Sequence, residues 1–104
     1  MSRYECTFIV KQDVLAQDIQ RIISSTASSL ESFGCNIVRR DYVGLKPLAY
    51  PIKKNKKGHY VEMEVDGSSE ALDALESDFR VSENVIRFMF LRLDTRDAHS
   101  MRKK

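Results

Sequence analysis

Two kinds of hydrophobic periodicity alternate along this chain, and their order limits the folds that it can adopt. Apolar and polar residues alternate from Arg3 to Val10, which is the period of a half-buried strand. Apolar residues then recur at three- and four-residue steps from Asp13 to Phe33, which predicts an amphipathic helix that ends at Gly34. A strand followed by a helix therefore opens the chain.

The middle of the chain predicts a long hairpin. Asn36 to Val43 is typical of a second strand, and Tyr60 to Val65 alternates again as a third strand. The composition between them predicts a turn centred on Asn55 to Gly58. These two strands are expected to pair with each other.

A second, shorter helix and a fourth strand complete the pattern. Asp66 to Ser69 supplies capping residues, and the apolar residues up to Phe79 recur at helical spacing. Val85 to Leu93 is rich in β-prone residues. The order of strand, helix, strand, strand, helix, strand is that of an α+β, ferredoxin-like βαββαβ sandwich. We expect a four-stranded antiparallel sheet with two helices on one face.

Length and composition limit this fold to one domain. With 104 residues, 42% of them hydrophobic and 31% charged, the chain is typical of a single globular domain. We expect that domain at residues 1–94 and a polar, basic, flexible tail at residues 95–104. No apolar run approaches the roughly 20 residues that a membrane span needs. A cytoplasmic protein without a membrane association is therefore predicted.

Positive charge is concentrated in one stretch, although the formal net charge is only +2. Gly44 to Tyr60 contains five lysines and two tyrosines, and no carboxylate occurs from Tyr42 to Val61. Lysines interleaved with aromatic residues favour contact with phosphates and stacking on bases. The alternative is a hairpin whose lysines only discourage strand pairing with other chains.

One face of the sheet would remain uncovered, because two helices hide only the other. On this open face the pattern places apolar side chains beside two arginines, namely Ile9, Tyr60, Met89, Leu91, Arg3 and Arg87. Either the tail or the long hairpin folds over part of this face, or the face is a docking surface for a protein or for bases. The pattern alone favours neither interpretation.

The sequence contains few groups that could carry out catalysis. His59 and His99 form no recognisable catalytic arrangement, and His59 is interpreted as a strand-edge residue. Glu62 and Glu64 share one side of a strand, which is usually a solvated face. The phosphate-binding glycine motifs are missing, and two cysteines without CxxC spacing predict no metal site. We expect no enzymatic activity, no cofactor and no metal.

Several short motifs together resemble one family, the sixth protein of the bacterial small ribosomal subunit. The motifs occur in the family's order and spacing, and they are Arg3-Tyr-Glu5, Asp41-Tyr-Val-Gly44, Leu48-Ala-Tyr-Pro-Ile-Lys53, Gly58-His-Tyr60 and Glu83-Asn-Val-Ile-Arg87. The Leu-Ala-Tyr-Pro-Ile block is the most specific of them. The resemblance covers the chain up to the end of the fourth predicted strand, and the family fold agrees with the order of elements above.

The resemblance implies a structural role in the small subunit. Members of this family bind the central domain of 16S ribosomal RNA together with the eighteenth small-subunit protein as a heterodimer. The implied RNA-binding residues are Arg3, Lys46, Tyr50, Lys53, Lys54, Lys56, Lys57 and Arg87. The implied protein-partner residues are Tyr60, Met89 and Leu91.

Two other classes of function remain as alternatives. One is a small ferredoxin-like regulatory module that forms a homodimer through its sheet and binds a metabolite. The other is a small hydrolase with the same fold, similar to an acylphosphatase, although the sequence lacks a glycine-rich phosphate loop with an arginine in it.

Overall fold

The structure, a computed structural model, describes residues 2–93 and has the predicted order of elements. They are β1 (Ser2–Lys11), α1 (Ala16–Ser32), β2 (Asn36–Ile52), β3 (Asn55–Gly67), α2 (Ser69–Val81) and β4 (Val85–Leu93). The strands form one antiparallel sheet in the order β2-β3-β1-β4. The predicted ferredoxin-like fold is confirmed. The predicted tail lies outside the described residues.

Both helices pack on the same face of the sheet through their apolar stripes. The stripe of α1 includes Ile19, Ile23 and Leu30, all buried. The helix is followed by Gly34 with a φ of +84°, which is the predicted left-handed stop. α1 begins three residues later than the pattern predicted, at Ala16. Because the first turn lacks a side-chain cap there, this helix depends on its packing for stability.

The second helix is held by a cap and by an aromatic cluster. The Ser68 hydroxyl accepts a hydrogen bond from the amide of Ala71, as the capping residues predicted. Phe79 of this helix lies 4.9 Å from Phe8 and 5.6 Å from Phe88, measured between ring centroids. The cluster joins α2 to β1 and β4, and so fixes this helix over the inner face of the sheet.

The inner face of the sheet follows the predicted alternation, with one exception in β4. The inward-facing side chains of β1 and β3 are fully buried, and they are Cys6, Phe8, Val10, Val61, Met63 and Val65. In β4 the register shifts, so that Val10 pairs with Val85 whereas Ile9 pairs with Arg87. Strict alternation from Phe88 and Phe90 would place Ile86 in the inner row, but the bulge makes Val85 the buried residue at this end.

The hairpin is longer than predicted, and its turn lies elsewhere. β2 and β3 extend to Ile52 and Asn55, which pair with each other. The two-residue turn consists of Lys53 and Lys54, with φ angles of 48° and 69°. The prediction of a turn centred on Asn55 to Gly58 is therefore wrong. Two left-handed residues match the twist of a hairpin and are usually asparagine or glycine, so lysines there give no sequence signal.

Candidate nucleic-acid interface

The outer part of the β2–β3 hairpin projects beyond the rest of the sheet. β1 ends at Lys11, which pairs with Gly58, so the hairpin has no β1 neighbour between residues 46 and 57. We call residues 46–57 the hairpin arm. All five lysines of the cationic stretch lie on the arm and are exposed. The arm is therefore a cationic projection without any carboxylate of its own.

The tip of the arm is stabilised by the side chain of Asn55. Its Nδ2 donates hydrogen bonds to the carbonyl oxygens of Ile52 at 3.2 Å and Lys53 at 3.1 Å. The Asn55 residue is only 9% exposed although it lies beside two exposed lysines. These bonds satisfy carbonyl groups of the turn that β-sheet pairing leaves free.

A second set of hydrogen bonds ties the arm to the segment that follows β1. The amide of Gln12 donates to Oδ1 of Asn55 at 3.0 Å, and the amide of Lys57 donates to Oε1 of Gln12 at 3.1 Å. We call this pair of side chains the Gln12–Asn55 clamp. The sequence pattern does not reveal this clamp, because Asn55 is typical of a turn and Gln12 carries no periodic signal.

The arm also leans over the open face of the sheet. Nη1 of Arg87 in β4 donates a hydrogen bond to the Tyr50 hydroxyl at 2.9 Å. Ile9 points to the face without helices but is only 7% exposed, and a Cβ at Gly58 would collide with it and contact Leu48. The hypothesis that the hairpin folds over part of this face is confirmed. Gly58 permits this close approach because it has no side chain.

A cavity of about 200 Å³ lies between the arm and the open face. Its walls include Ile9 of β1, Tyr50 of the arm, Tyr60 of β3 and Arg87 and Met89 of β4. The structure thus brings together members of the predicted RNA-binding and protein-partner groups. The walls are largely apolar, and the Arg87 guanidinium and the tyrosine hydroxyls are polar groups among them.

Beside the cavity, the outer part of the open face is apolar and uncovered. Met89 is 62% exposed and Leu91 is 38% exposed, and both lie on β4, which is an edge of the sheet. Tyr60 is half-buried between them and the arm. An apolar strip of this kind, next to a cavity, has the chemistry of a protein-docking surface.

Arg3 lies far from the arm and is already engaged in an ion pair. Arg3 lies near one end of β1 and Lys11 lies at the other end. The two residues are about 27 Å apart along the strand, at roughly 3.4 Å per residue. Nε and Nη2 of Arg3 donate to the Asp66 carboxylate at 2.8 and 3.0 Å. This bidentate hydrogen bond lowers the pKa of Asp66 and raises the pKa of Arg3. The predicted RNA-binding residues therefore do not form one continuous patch.

The two glutamates of β3 belong to an ion-pair cluster. Arg39 lies 3.4 Å from the Glu64 carboxylate, 3.8 Å from that of Glu62 and 3.5 Å from that of Asp41, measured between nitrogen and oxygen atoms. Each of these side chains is partly exposed. The cluster supports the interpretation of Glu62 and Glu64 as a solvated face rather than an acid–base pair.

His59 lies inside the protein rather than at a strand edge. It is 5% exposed and its Nδ1 is 2.7 Å from the Tyr42 hydroxyl. The interpretation as a strand-edge residue is therefore wrong, since β3 lies between β2 and β1 and His59 pairs with both strands. Among residues 2–93 no group of three or more histidines, cysteines and carboxylates could hold a metal ion, and no helix is long and apolar enough to span a bilayer.

The sequence matches one family model over nearly all of the described residues. The model of the family described as ribosomal protein S6 matches residues 3–92. The small ribosomal subunit protein bS6 of Rickettsia prowazekii is 38% identical over 95 residues, which cover 91% of this chain and 78% of that protein. The protein of the same name from Granulibacter bethesdensis is 38% identical over 97 residues, covering 93% of this chain and 63% of that protein.

Solved structures show the same fold. The 30S ribosomal protein S6 of Thermotoga maritima matches with a TM-score of 0.86 at 23% identity, covering 99% of this chain and 98% of that one. The P2 domain of the chemotaxis kinase CheA, solved in complex with the response regulator CheY of Thermotoga maritima, matches with a TM-score of 0.55 at 18% identity. That match covers 88% of this chain and 98% of the other.

Proposed function

Because the chain belongs to the ribosomal protein S6 family, we propose that it binds the central domain of 16S ribosomal RNA in the small subunit. The eighteenth small-subunit protein is proposed as its heterodimer partner. The role is structural, without catalysis or a cofactor, and its place is the ribosome in the cytoplasm. The arm and the open face supply one surface for each partner.

The hairpin arm carries the RNA-binding part of this proposal. Its lysines are exposed, and within residues 2–93 none of them forms an ion pair. An unpaired lysine neutralises a phosphate and releases the counterion that was bound to it. Each such contact contributes about 0.7 to 0.9 to the slope of log affinity against log salt. Tyr50 lies among the lysines and offers an aromatic ring for stacking.

Arg3 and Arg87 remain part of the proposed RNA surface, although each already donates within the protein. Arg3 uses two of its N–H groups on Asp66, and Arg87 uses one on Tyr50. A guanidinium has five N–H donors, so both keep donors for a phosphate. The arginines therefore act as held, oriented donors, whereas the lysines of the arm act as free charges.

The open face carries the protein-partner part of the proposal. Met89 and Leu91 are exposed apolar groups, and burying them against a partner removes that apolar area from water. The cavity beneath the arm is large enough for one apolar side chain of the partner, with Tyr60 on its wall. Burial of a few such anchors supplies most of the affinity of a protein interface.

The open-face cavity is small for a metabolite. Its volume of about 200 Å³ lies below the roughly 300 to 1,000 Å³ of small-molecule sites, although clefts of about 360 and 540 Å³ lie elsewhere on the protein. The hydrolase alternative has no support either, since the charged cluster of the sheet is a set of ion pairs around Arg39. Both alternatives leave the exposed lysines without a role.

The proposal is tested by titrating central-domain 16S RNA in a filter-binding assay, with and without the partner protein, at several salt concentrations. We expect binding that tightens when the partner is present and weakens steeply as salt rises. Replacing all five lysines of the arm by glutamine should reduce both the affinity and the salt slope. Salt-insensitive binding, or no binding under either condition, would falsify the proposed function.

A further inference from the structure

The arm reaches beyond the part of the sheet that supports it. From Lys46 to Lys57 only two strands pair, and an isolated two-stranded hairpin is marginally stable in water. Its tip also holds Lys53 and Lys54 in the left-handed conformation that lysine rarely adopts. Some other feature must therefore hold the arm in one position.

The Gln12–Asn55 clamp supplies such a feature at the tip of the arm, in addition to the hydrogen bond between Arg87 and Tyr50. Asn55 bonds the turn from inside the hairpin, and Gln12 bonds the arm from outside it, across 43 and 45 residues of sequence. Every partner of the two side chains is a backbone group. The clamp therefore fixes the path of the backbone without occupying the lysine side chains.

We propose that Gln12 and Asn55 are positioning residues for RNA binding, which hold the lysines of the arm in the arrangement that meets the phosphates. This inference rests on the RNA-binding function proposed above. A cationic arm that is already ordered loses less conformational entropy when it binds than a mobile arm does. Neither residue needs to touch RNA, since both act through the backbone of the arm.

The clamp and the lysines predict different signatures in a salt titration. Removing a lysine removes a phosphate contact, so the slope of log affinity against log salt becomes shallower by about 0.7 to 0.9. Removing the clamp leaves every lysine in place, so the affinity falls while the slope is unchanged. A residue that only stabilises the whole fold would produce neither pattern in protein that is fully folded.

The first measurement uses the free protein. In Gln12→Ala the amide of Lys57 loses its acceptor, and we expect its hydrogen exchange to become at least tenfold faster while the amide of Phe8 in the core is unchanged. Gln17→Ala is the matched control, because Gln17 is exposed on α1 and its side chain makes no hydrogen bond within residues 2–93. Unchanged exchange at Lys57 overturns the proposal whatever the RNA result.

The second measurement is the affinity for central-domain RNA at several salt concentrations. We expect Gln12→Ala to bind threefold to tenfold more weakly than the wild type with the same slope, and Gln17→Ala to bind like the wild type. Lys54→Gln should show the shallower slope. Wild-type affinity of Gln12→Ala, despite faster exchange at Lys57, refutes the positioning role alone. Absence of RNA binding by the wild type refutes the proposed function, and the inference falls with it.

Discussion

Replacing Lys54 by glycine should make the protein more stable and a weaker RNA binder at the same time. Lys54 has a φ of 69°, and a non-glycine residue in the left-handed region costs roughly 1–2 kcal/mol. Glycine removes that cost, but it loses about 0.4–1 kcal/mol more conformational entropy on folding. The expected net gain in the free energy of unfolding is therefore about 0.5–1 kcal/mol.

The matched control for this variant lies two residues along the chain. Lys56 is also exposed on the arm, but its φ is not positive and it belongs to β3. Glycine inside a strand destabilises by roughly 0.5–1 kcal/mol. Lys54→Gly and Lys56→Gly thus remove the same charge and should change stability in opposite directions.

Thermal unfolding gives the stability and a salt titration of RNA binding gives the charge effect. For a domain of this size about 1 kcal/mol corresponds to a shift of roughly 4–8 °C, so Lys54→Gly should unfold about 2–8 °C above the wild type. Both variants should flatten the salt slope by about 0.7–0.9. A lower unfolding temperature for Lys54→Gly would contradict the left-handed turn, and an unchanged slope in both variants would contradict phosphate contact by the arm.

Three further predictions concern other parts of the molecule. Pairing with Arg3 lowers the pKa of Asp66, so the pair stabilises the fold above the ordinary carboxyl pKa of 3.8 and loses this effect as pH falls through the lowered value. The difference in stability between the wild type and Asp66→Asn, measured by urea unfolding, should therefore shrink from pH 7 to pH 2.5. A constant difference would count against the pair. Burial raises the pKa of the Cys6 thiol to about 12. Iodoacetamide at pH 8 should therefore leave the Cys6 peptide unlabelled, as detected by mass spectrometry, until denaturant is added. Labelling of the folded protein would contradict the burial of this thiol. Met89→Lys should weaken heterodimer formation at least tenfold by calorimetry, whereas Val81→Lys should not, because Val81 is even more exposed but lies on α2. Equal affinities of the two variants would move the partner away from the open face.

The sequence predicted the parts of the fold that periodicity encodes. β4 has the predicted bounds, and the buried rows of β1 and β3 are those that the alternation indicated. The bulge in β4 escaped prediction, since one extra residue reverses which of two adjacent apolar side chains, Val85 or Ile86, faces the core. A period of two cannot reveal where the register shifts.

The candidate site was predicted as a list of residues rather than as an arrangement. The lysines of the arm were identified because charge is readable along the chain. Contacts across long sequence separations were not, so the pairing of Arg87 with Tyr50 and of Arg3 with Asp66 appears only in three dimensions. The turn was misplaced because Asn55 and Gly58 have turn-like composition, whereas the residues that form the turn are Lys53 and Lys54.

The length of the hairpin arm sets the order of events when the protein meets a polyanion. The Arg3–Asp66 pair lies about 27 Å from the base of the arm, at roughly 3.4 Å per residue. This is more than three times the screening length of about 8 Å at physiological ionic strength. The exposed lysines of the arm, which form no ion pair within residues 2–93, are therefore screened from that pair. If the arm binds RNA as proposed, its tip should meet the phosphates first, and salt should slow association more than it speeds dissociation.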